Sequence, residues 1–412
     1  MRLLKLAIYH PVYLKQFYAE RAGLASQPYA LQHAALMRDS FGSSDFWTTA
    51  LNGLGYETVE TIANVEPMQK SWAREHGVSY GEGRWLFDIA TAQVEAFQPD
   101  ALIVADYSTL SADFLRHLKS RCPSIRLTLG WCGAPFRQTS VFHEWDIVLS
   151  CVPELVQYFR HNGHRCHHLN HAFAPVTLDR LKRTNAKSAD FVFLGSIVKR
   201  EQFHEERERI LVELVEQTNL QIWSDINQPP VSQQRSASAR QWAYDAVHAA
   251  QRAGVPSALL SATPLINRVV QWEARPEVSR PVDARLAARA RPPLFGLAMF
   301  QQLHDSKLAL NTHIDISPVS ASNMRLFEAT GVGACLLTDW KENLPDLFEP
   351  DVEVLTYHDS AECLEKARYI LDHDDARRAI AEAGQRRVLR EHTFAHRATQ
   401  IDAIIKEELF QR

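Results

Sequence analysis

The sequence predicts an α/β protein made of two consecutive open sheets of parallel strands, each flanked by helices. Two observations carry that expectation. Short apolar runs alternate with amphipathic stretches through residues 1–175 and again from Asp190 onward, a rhythm that implies parallel strands joined by helical crossovers. Between the two series, the stretch from Phe173 to Ala189 contains Pro175 and then polar and basic residues, and reads as a linker. At roughly 100–200 residues per domain, the length of 412 agrees with two domains.

In chain order, the first series reads as strands at Leu4–Tyr9, Thr58–Ala63, Ala101–Ala105, Arg126–Gly130, Ile147–Ser150 and Cys166–Leu169. Helical patterns lie between them, among them Phe87–Phe97 and Ser111–Arg121, the latter with Leu115 and Leu118 on one face. The second series opens with a strand at Phe191–Leu194 that ends at Gly195-Ser196. A charged helix follows from Gln202 to Gln217, then a strand at Leu220–Trp223. The pattern loosens over 224–293, which holds Pro229-Pro230 and five arginines between Arg275 and Arg291, and is expected to be a largely helical insertion. Alternation resumes with a helix at Phe295–Asp305 and strands at Lys307–Thr312 and Ala334–Thr338. Helices at Arg377–Leu389 and Thr393–Phe410 close the chain.

Composition narrows the functional classes. The chain is 46% hydrophobic with a net charge of −4, which excludes disorder and argues against nucleic-acid binding through bulk charge. No window approaches the ~18 consecutive apolar residues of a membrane-spanning helix. The apolar run at Met1–Tyr9 is short and lacks a small-residue cleavage site, so it is taken as a strand and not a signal peptide. The six cysteines have no framework spacing and are expected to be reduced and mostly buried, which points to a soluble cytoplasmic protein.

In open α/β sheets, ligands bind beyond the carboxyl ends of the strands. The residues that follow strands are therefore candidates: His10, Asp106, Trp131 and His171 in the first series, and Ser196, Ser224, His313 and Asp339 in the second. The segment with the most chemistry is Ser320-Ala-Ser-Asn-Met-Arg-Leu-Phe-Glu-Ala-Thr-Gly-Val-Gly333. Ser320, Ser322 and Asn323 are N-cap types, Met324–Thr330 favours helix, and Gly331 and Gly333 stop it before a buried strand. A helix start, the fork of Arg325 and the carboxylate of Glu328 suit a nucleoside diphosphate. The competing reading is a capped helix with a solvated i,i+3 ion pair. Lys199 and Arg200, after the Gly195-Ser196 turn, have the charge to neutralise a diphosphate, or else begin a solvated helix. His10 and Asp106 are candidate general bases, with Asp106 equally able to cap the next helix together with Ser108.

No metal is expected. Five histidines between His161 and His171, with Cys166, are zinc-ligand types, but their spacing fits no closed site. Asp372-His373-Asp374 reads as the acidic start of a helix. The arginines at 275–291 are read as a solvated insertion, with an anionic lipid headgroup as the alternative partner.

The run Asn323-x-Arg325-x-Phe327-Glu328-Ala329-x-Gly331-x-Gly333, followed by Leu336-Leu337-Thr338-Asp339, resembles the donor-site segment of CgeB-like, group 1 glycosyltransferases of the GT-B fold. The similarity continues through Leu347-Phe348-Glu349-Pro350, Gly384, Arg387 and His392-Thr393-Phe394. Upstream it includes Phe193-Leu194-Gly195-Ser196, His204, Arg207 and Leu310-Asn311-x-His313. It spans most of 190–400 and is weaker in the first domain.

The resemblance implies two Rossmann-like domains facing each other across a cleft. Residues 1–178 would bind the acceptor, with a last helix at 393–412 packed back on them. Residues 186–392 would bind the donor and carry the insertion at about 224–293. It implies metal-independent transfer, with no cofactor, of a sugar from a nucleotide-sugar donor to a glycan or lipid-linked acceptor. Surface polysaccharide, lipopolysaccharide or glycoconjugate synthesis is the expected setting, and peripheral membrane contact is compatible with it. Gly195, Ser196, Lys199, Arg200, His313, Ser322, Asn323, Arg325 and Glu328 are the expected donor residues, with Glu328 matching the family's ribose-binding Glu. Related retaining enzymes carry a second Glu eight positions earlier, where this chain has Ser320. With that departure neither the donor sugar nor the stereochemical outcome carries over, and an inactive nucleotide-sugar-binding or partner-binding module stays open. A sugar-nucleotide epimerase of the same architecture, which would need donor alone and no acceptor, is the alternative from another enzyme class.

Overall fold

The computed structural model describes residues 1–136, 139–182, 187–199, 204–226, 230–272, 275–276, 278–314 and 317–410. Two six-stranded, all-parallel sheets form the frame. The first contains β1 (Arg2–Ala7), β2 (Glu57–Ile62), β3 (Ala101–Val104), β4 (Leu127–Trp131), β5 (Ile147–Ser150) and β6 (Cys166–His168), in the order β2-β1-β3-β4-β5-β6. The second contains β7 (Ala189–Leu194), β8 (Leu220–Trp223), β9 (Ala290–Arg291), β10 (Ser306–Asn311), β11 (Cys335–Asp339) and β12 (Leu355–Tyr357), in the order β12-β11-β10-β7-β8-β9.

Each sheet is buried on both faces, as all-parallel sheets are. Along β1, Leu4 and Leu6 enter one core cluster while Leu3 enters the cluster on the opposite face. Along β7, Phe191 and Phe193 point to one side and Val192 and Leu194 to the other. This period-2 division explains why the strands read as unbroken apolar runs.

The chain order reverses direction once within each sheet. In the first, β2 lies on one side of β1 and β3 on the other; in the second, β8 and β10 flank β7. At such a switch point the crossover helices leave toward opposite faces, and a crevice opens beyond the strand ends.

Several boundaries differ from expectation. Strand β1 ends at Ala7, so Ile8 and Tyr9 lie beyond the sheet, and Pro11 starts the helix Pro11–Ala19 with His10 at its N-cap. The segment 224–293 is largely helical, with helices Val231–Arg252, Ser257–Leu260, Pro264–Val270 and Ala284–Ala287, but its end returns to the sheet as β9. Strands β9 and β12 have two and three residues, too few to show a period. The linker contains the short helix Val176–Arg180.

The last helix, Phe394–Phe410, lies on the first sheet. Phe394, Ala398, Ile401 and Ile405 share a buried cluster with Leu3, Ile103, Leu129 and Leu149. Burial of each large side chain there is worth about 1.5–3 kcal/mol. Its entry is fixed by Phe173, whose N–H donates to His392 O at 2.9 Å and whose carbonyl accepts from Phe394 N at 3.1 Å.

Candidate active site

A cleft of about 710 Å³ lies between the two sheets. From the first half it is walled by His10, Phe41 and Gly42; from the second by Gly195, Ser196, Trp223, Phe295, Arg325 and Glu328. The second-half residues gather at the switch point of the second sheet, beyond the end of β7. Five of the expected site residues, His10, Gly195, Ser196, Arg325 and Glu328, therefore meet at one place.

Arg325 begins the helix Arg325–Gly331, and its Nη1 lies 3.0 Å from Glu328 Oε2. The i,i+3 pair does exist, but it is buried in the cleft wall and not solvated. Burial pushes the Glu328 carboxyl above its ordinary value, with Arg325 opposing the shift. Arg325 Nε is buried and finds no hydrogen-bond partner among the described residues. A buried guanidinium donor left open is costly unless something fills it. The helix has only seven residues, and the Asn323 carboxamide oxygen already takes the Leu326 N–H at 3.3 Å. The positive charge of this wall comes from Arg325 more than from the helix end.

The remaining expected residues are engaged elsewhere. Asn323 exchanges hydrogen bonds with Asn311 at 2.8 and 3.2 Å and donates to Thr312 O at 3.3 Å, fastening the helix start to the end of β10. Ser322 Oγ bonds to Ser317 Oγ at 3.0 Å inside the preceding loop. Lys199 is paired with Glu208. Neither these residues nor His313 line the cleft. His313 Nδ1 meets Asp339 Oδ1 at 2.7 Å. Burial alone would raise Asp339, but His313 and Lys341 outweigh it and hold the carboxyl down to about 2. Asp106 accepts from the N–H groups of Ser108, Thr109 and Leu110 at 3.2, 2.6 and 2.9 Å and from Ser108 Oγ at 2.9 Å. These bonds spend the carboxylate on the turn that follows β3; the next helix, Ala112–Arg121, is capped instead by Ser111, whose Oγ accepts from Phe114 N at 3.3 Å. Arg200 lies outside the described residues.

Sequence reasoning missed Phe41, Gly42, Trp223, Asp225 and the stretch Pro293–Gly296. The rule of taking the residue after a strand selected Ser224, which does not line the cleft, and passed over Trp223 one position earlier, which does. Gly296 has φ +51° and packs against Asp39 of the first half, where a Cβ would sit 2.3 Å from the Asp39 carboxylate. Only glycine lets the two halves approach this closely here.

No three His, Cys, Asp or Glu side chains gather to hold a metal among the described residues. His168 meets Cys151 O at 3.3 Å, and Asp374 accepts from Arg377 at 2.8 Å.

Residues 235–403 match a family model described as glycosyl transferase-like. No curated protein matches the chain. Among solved structures, the sucrose-phosphate synthase of Thermosynechococcus elongatus superposes with a TM-score of 0.54 at 8% identity, covering all of both chains. A glycosyltransferase from Rickettsia africae gives 0.52 at 8% identity, covering 99% of this chain and 98% of its own. Anabaena HepE in complex with UDP-glucose gives 0.54 at 11% identity, covering 99% of this chain and all of its own. At such identities the likeness concerns the fold, two Rossmann-like domains about a cleft. Residues 235–403 are thus similar to a glycosyl transferase-like family, and the chain as a whole has the GT-B fold.

Proposed function

We propose that the cleft binds a nucleotide-activated sugar and that the sugar passes to an acceptor held by the first domain. The observation that carries this reading is Arg325, held in the cleft wall by its pair with Glu328 at 3.0 Å. Diphosphate oxygens would accept charge-assisted hydrogen bonds from its guanidinium. Glu328 would accept from ribose hydroxyls, Gly195 and Ser196 would pass close to the phosphates, and Trp223, Ile226 and Leu294 offer an apolar end for the base. As the sugar departs, charge builds on the leaving diphosphate, and a fixed guanidinium stabilises it without reorganising. His10, on the facing wall, is the candidate to take the proton of the acceptor hydroxyl if the configuration inverts. Lys199, His313, Ser322 and Asn323 hold the loops that carry this wall.

A glycan or lipid-linked acceptor in cytoplasmic assembly of a surface polysaccharide or related glycoconjugate suits the family resemblance. Among the described residues no helix is long and apolar enough to cross a membrane. The insertion nevertheless exposes Trp242 to 75% on the helix that carries Arg240 and Arg252, Leu265 to 78% on the helix that carries Arg268, and Leu259 to 70% on the short helix between them, a composition suited to an anionic lipid surface. The full chain is expected to sediment with anionic vesicles and to lose that binding in Trp242→Ser; no sedimentation at low salt overturns the membrane contact.

The donor site is tested by thermal shift against UDP, GDP, dTDP, ADP and CMP, with UDP first because HepE is described with UDP-glucose. A ligand at 100 times its dissociation constant stabilises by about 2.7 kcal/mol. One diphosphate should raise the melting temperature, and Glu328→Ala should melt cooperatively, lose that shift and transfer about tenfold more slowly or worse, a loss of ~1.4 kcal/mol. Full turnover in that variant removes the ribose assignment, and silence across the panel removes the donor site.

A further inference from the structure

A second cavity of about 210 Å³ lies beyond the carboxyl ends of β1 and β3, at the switch point of the first sheet. It is reached past Phe41, Gly42 and Met324, which also wall the cleft, so the two spaces adjoin. Met324 immediately precedes Arg325. A sugar carried on a diphosphate at Arg325 would therefore sit at the mouth of this cavity. Its position comes from the topology; its chemistry comes from the side chains that the last helix and the strand ends bring to it.

Those walls are mostly apolar, with Trp47, Ile103, Trp131, Leu149, Phe394 and Ile401 among them. Lys5 also lines the cavity, but it is spent: its ammonium pairs with buried Glu60 and donates to Ser43 Oγ, another lining residue. His171 is the lining histidine, with its ring 5.2 Å from that of Trp131. The lining holds no carboxylate or carboxamide side chain. Sugar hydroxyls bind where acceptors and donors converge on them; Tyr9, whose buried Oη has no partner among the described residues, and His171 are too few for a hydroxyl-rich ring, which would leave most of its groups unpaired here. A flat or aliphatic group loses nothing by leaving water for these walls.

We propose that this cavity binds an apolar group of the acceptor, an aromatic ring or short alkyl chain attached close to the hydroxyl that receives the sugar. The assignment rests on the donor reading of the adjoining cleft and adds the chemical class of the second substrate. The apolar group anchors the acceptor between Trp131 and Ile401, and its hydroxyl emerges past Met324 toward the donor. His171 faces the bound acceptor as a neutral imidazole, since burial first and Arg397 second hold it down to about 4. In that state it can give or take a hydrogen bond at the acceptor without placing a charge in an apolar site.

The test is calorimetric titration of the full chain with methyl, phenyl and octyl glycosides of glucose, galactose, mannose and N-acetylglucosamine, each sugar forming its own series. In at least one series the phenyl or octyl member is expected to bind at least tenfold more tightly than the methyl member. A phenyl preference assigns a ring and an octyl preference a chain. Ala105→Phe, which fills the cavity from the half-buried residue after β3, should abolish the preference while the nucleotide thermal shift persists. Ala105→Leu serves the same end if the larger residue does not fold, and Ala105→Gly should keep the preference. Equal affinity within every series, no binding of any glycoside, or a preference that survives Ala105→Phe overturns the assignment. If nucleotides still bind in that case, the donor reading stands without it. An apolar preference in a chain that binds no nucleotide instead removes the donor reading and leaves the cavity as an apolar ligand site.

Discussion

Lys5 and Glu60 form an ion pair with side chains only 3% and 1% exposed, contributed by neighbouring strands at paired positions of the register. Desolvation dominates there. Burial pushes Glu60 up to about 7, with Lys5 opposing, and Glu60 Oε2 has no partner among the described residues. Removing one member leaves the other charged and alone, which costs about 3–5 kcal/mol, whereas replacing both with apolar residues is often neutral. Lys5→Met and Glu60→Leu should each destabilise by about that amount in urea unfolding, and the double variant should recover most of the loss. Two mild single variants would mean the pair is already wet in the folded protein. The same contrast between burial and partner operates at Arg325. Arg and Glu at i,i+3 are visible in the sequence, yet only the fold decides that the pair is enclosed.

At the level of elements, the helix Arg325–Gly331 is aimed by contacts at both ends. Asn323 ties its start to β10. Its end presses Gly331 against Phe173 of the connecting segment, where a Cβ would sit 2.4 Å from the ring. A Gly331→Ala substitution should therefore destabilise by about 1–3 kcal/mol despite the better helix propensity of alanine, because the ring is enclosed and overpacking is costly. Chemical denaturation measures it, and a stabilised variant would show that Phe173 can move. Glycine at this position was legible as a helix stop; its second duty toward Phe173 was not, because Phe173 is far away in the chain. For the same reason β9 and β12 escaped notice. Two- and three-residue strands exist through their partners β8 and β11, and no local pattern announces them.

Across the whole molecule, histidines set the acid limit. Burial, followed by nearby arginine charge, holds His171 and His204 down to about 4 and 3. Burial is also the leading cause for His392, held down to about 4 with Arg397 and Arg387 adding to the shift against the hydrogen bond to Leu347 O. All three are neutral in the folded chain at pH 7. The unfolded chain takes up their protons near 6.5, so their contribution is fully present above that value and is lost as pH falls through about 4. Glu60 has the opposite sign: its contribution is present below its ordinary value of 4.5 and is lost as pH rises through about 7. Unfolding free energy measured by urea from pH 7 to pH 4 should fall steadily on the acid side, and a flat profile would mean that these imidazoles are solvated.

The sequence by itself determined the two-sheet α/β plan, the order of most strands, and the segment from Ser320 to Gly333 with its Arg and Glu. Each of these is written in local spacing: period-2 burial, helix caps, glycine stops. Only the tertiary structure decided which candidates share a cleft. Asp106, Lys199, His313, Ser322 and Asn323 sit near strand ends or the helix start as predicted, but nearer partners claim their polar atoms. Phe41, Trp223 and Phe295 carry no local signal and became cleft walls because two domains meet there. Position along the chain limits what a residue is able to do, and the groups brought against it from distant positions set the electrostatic environment in which it acts.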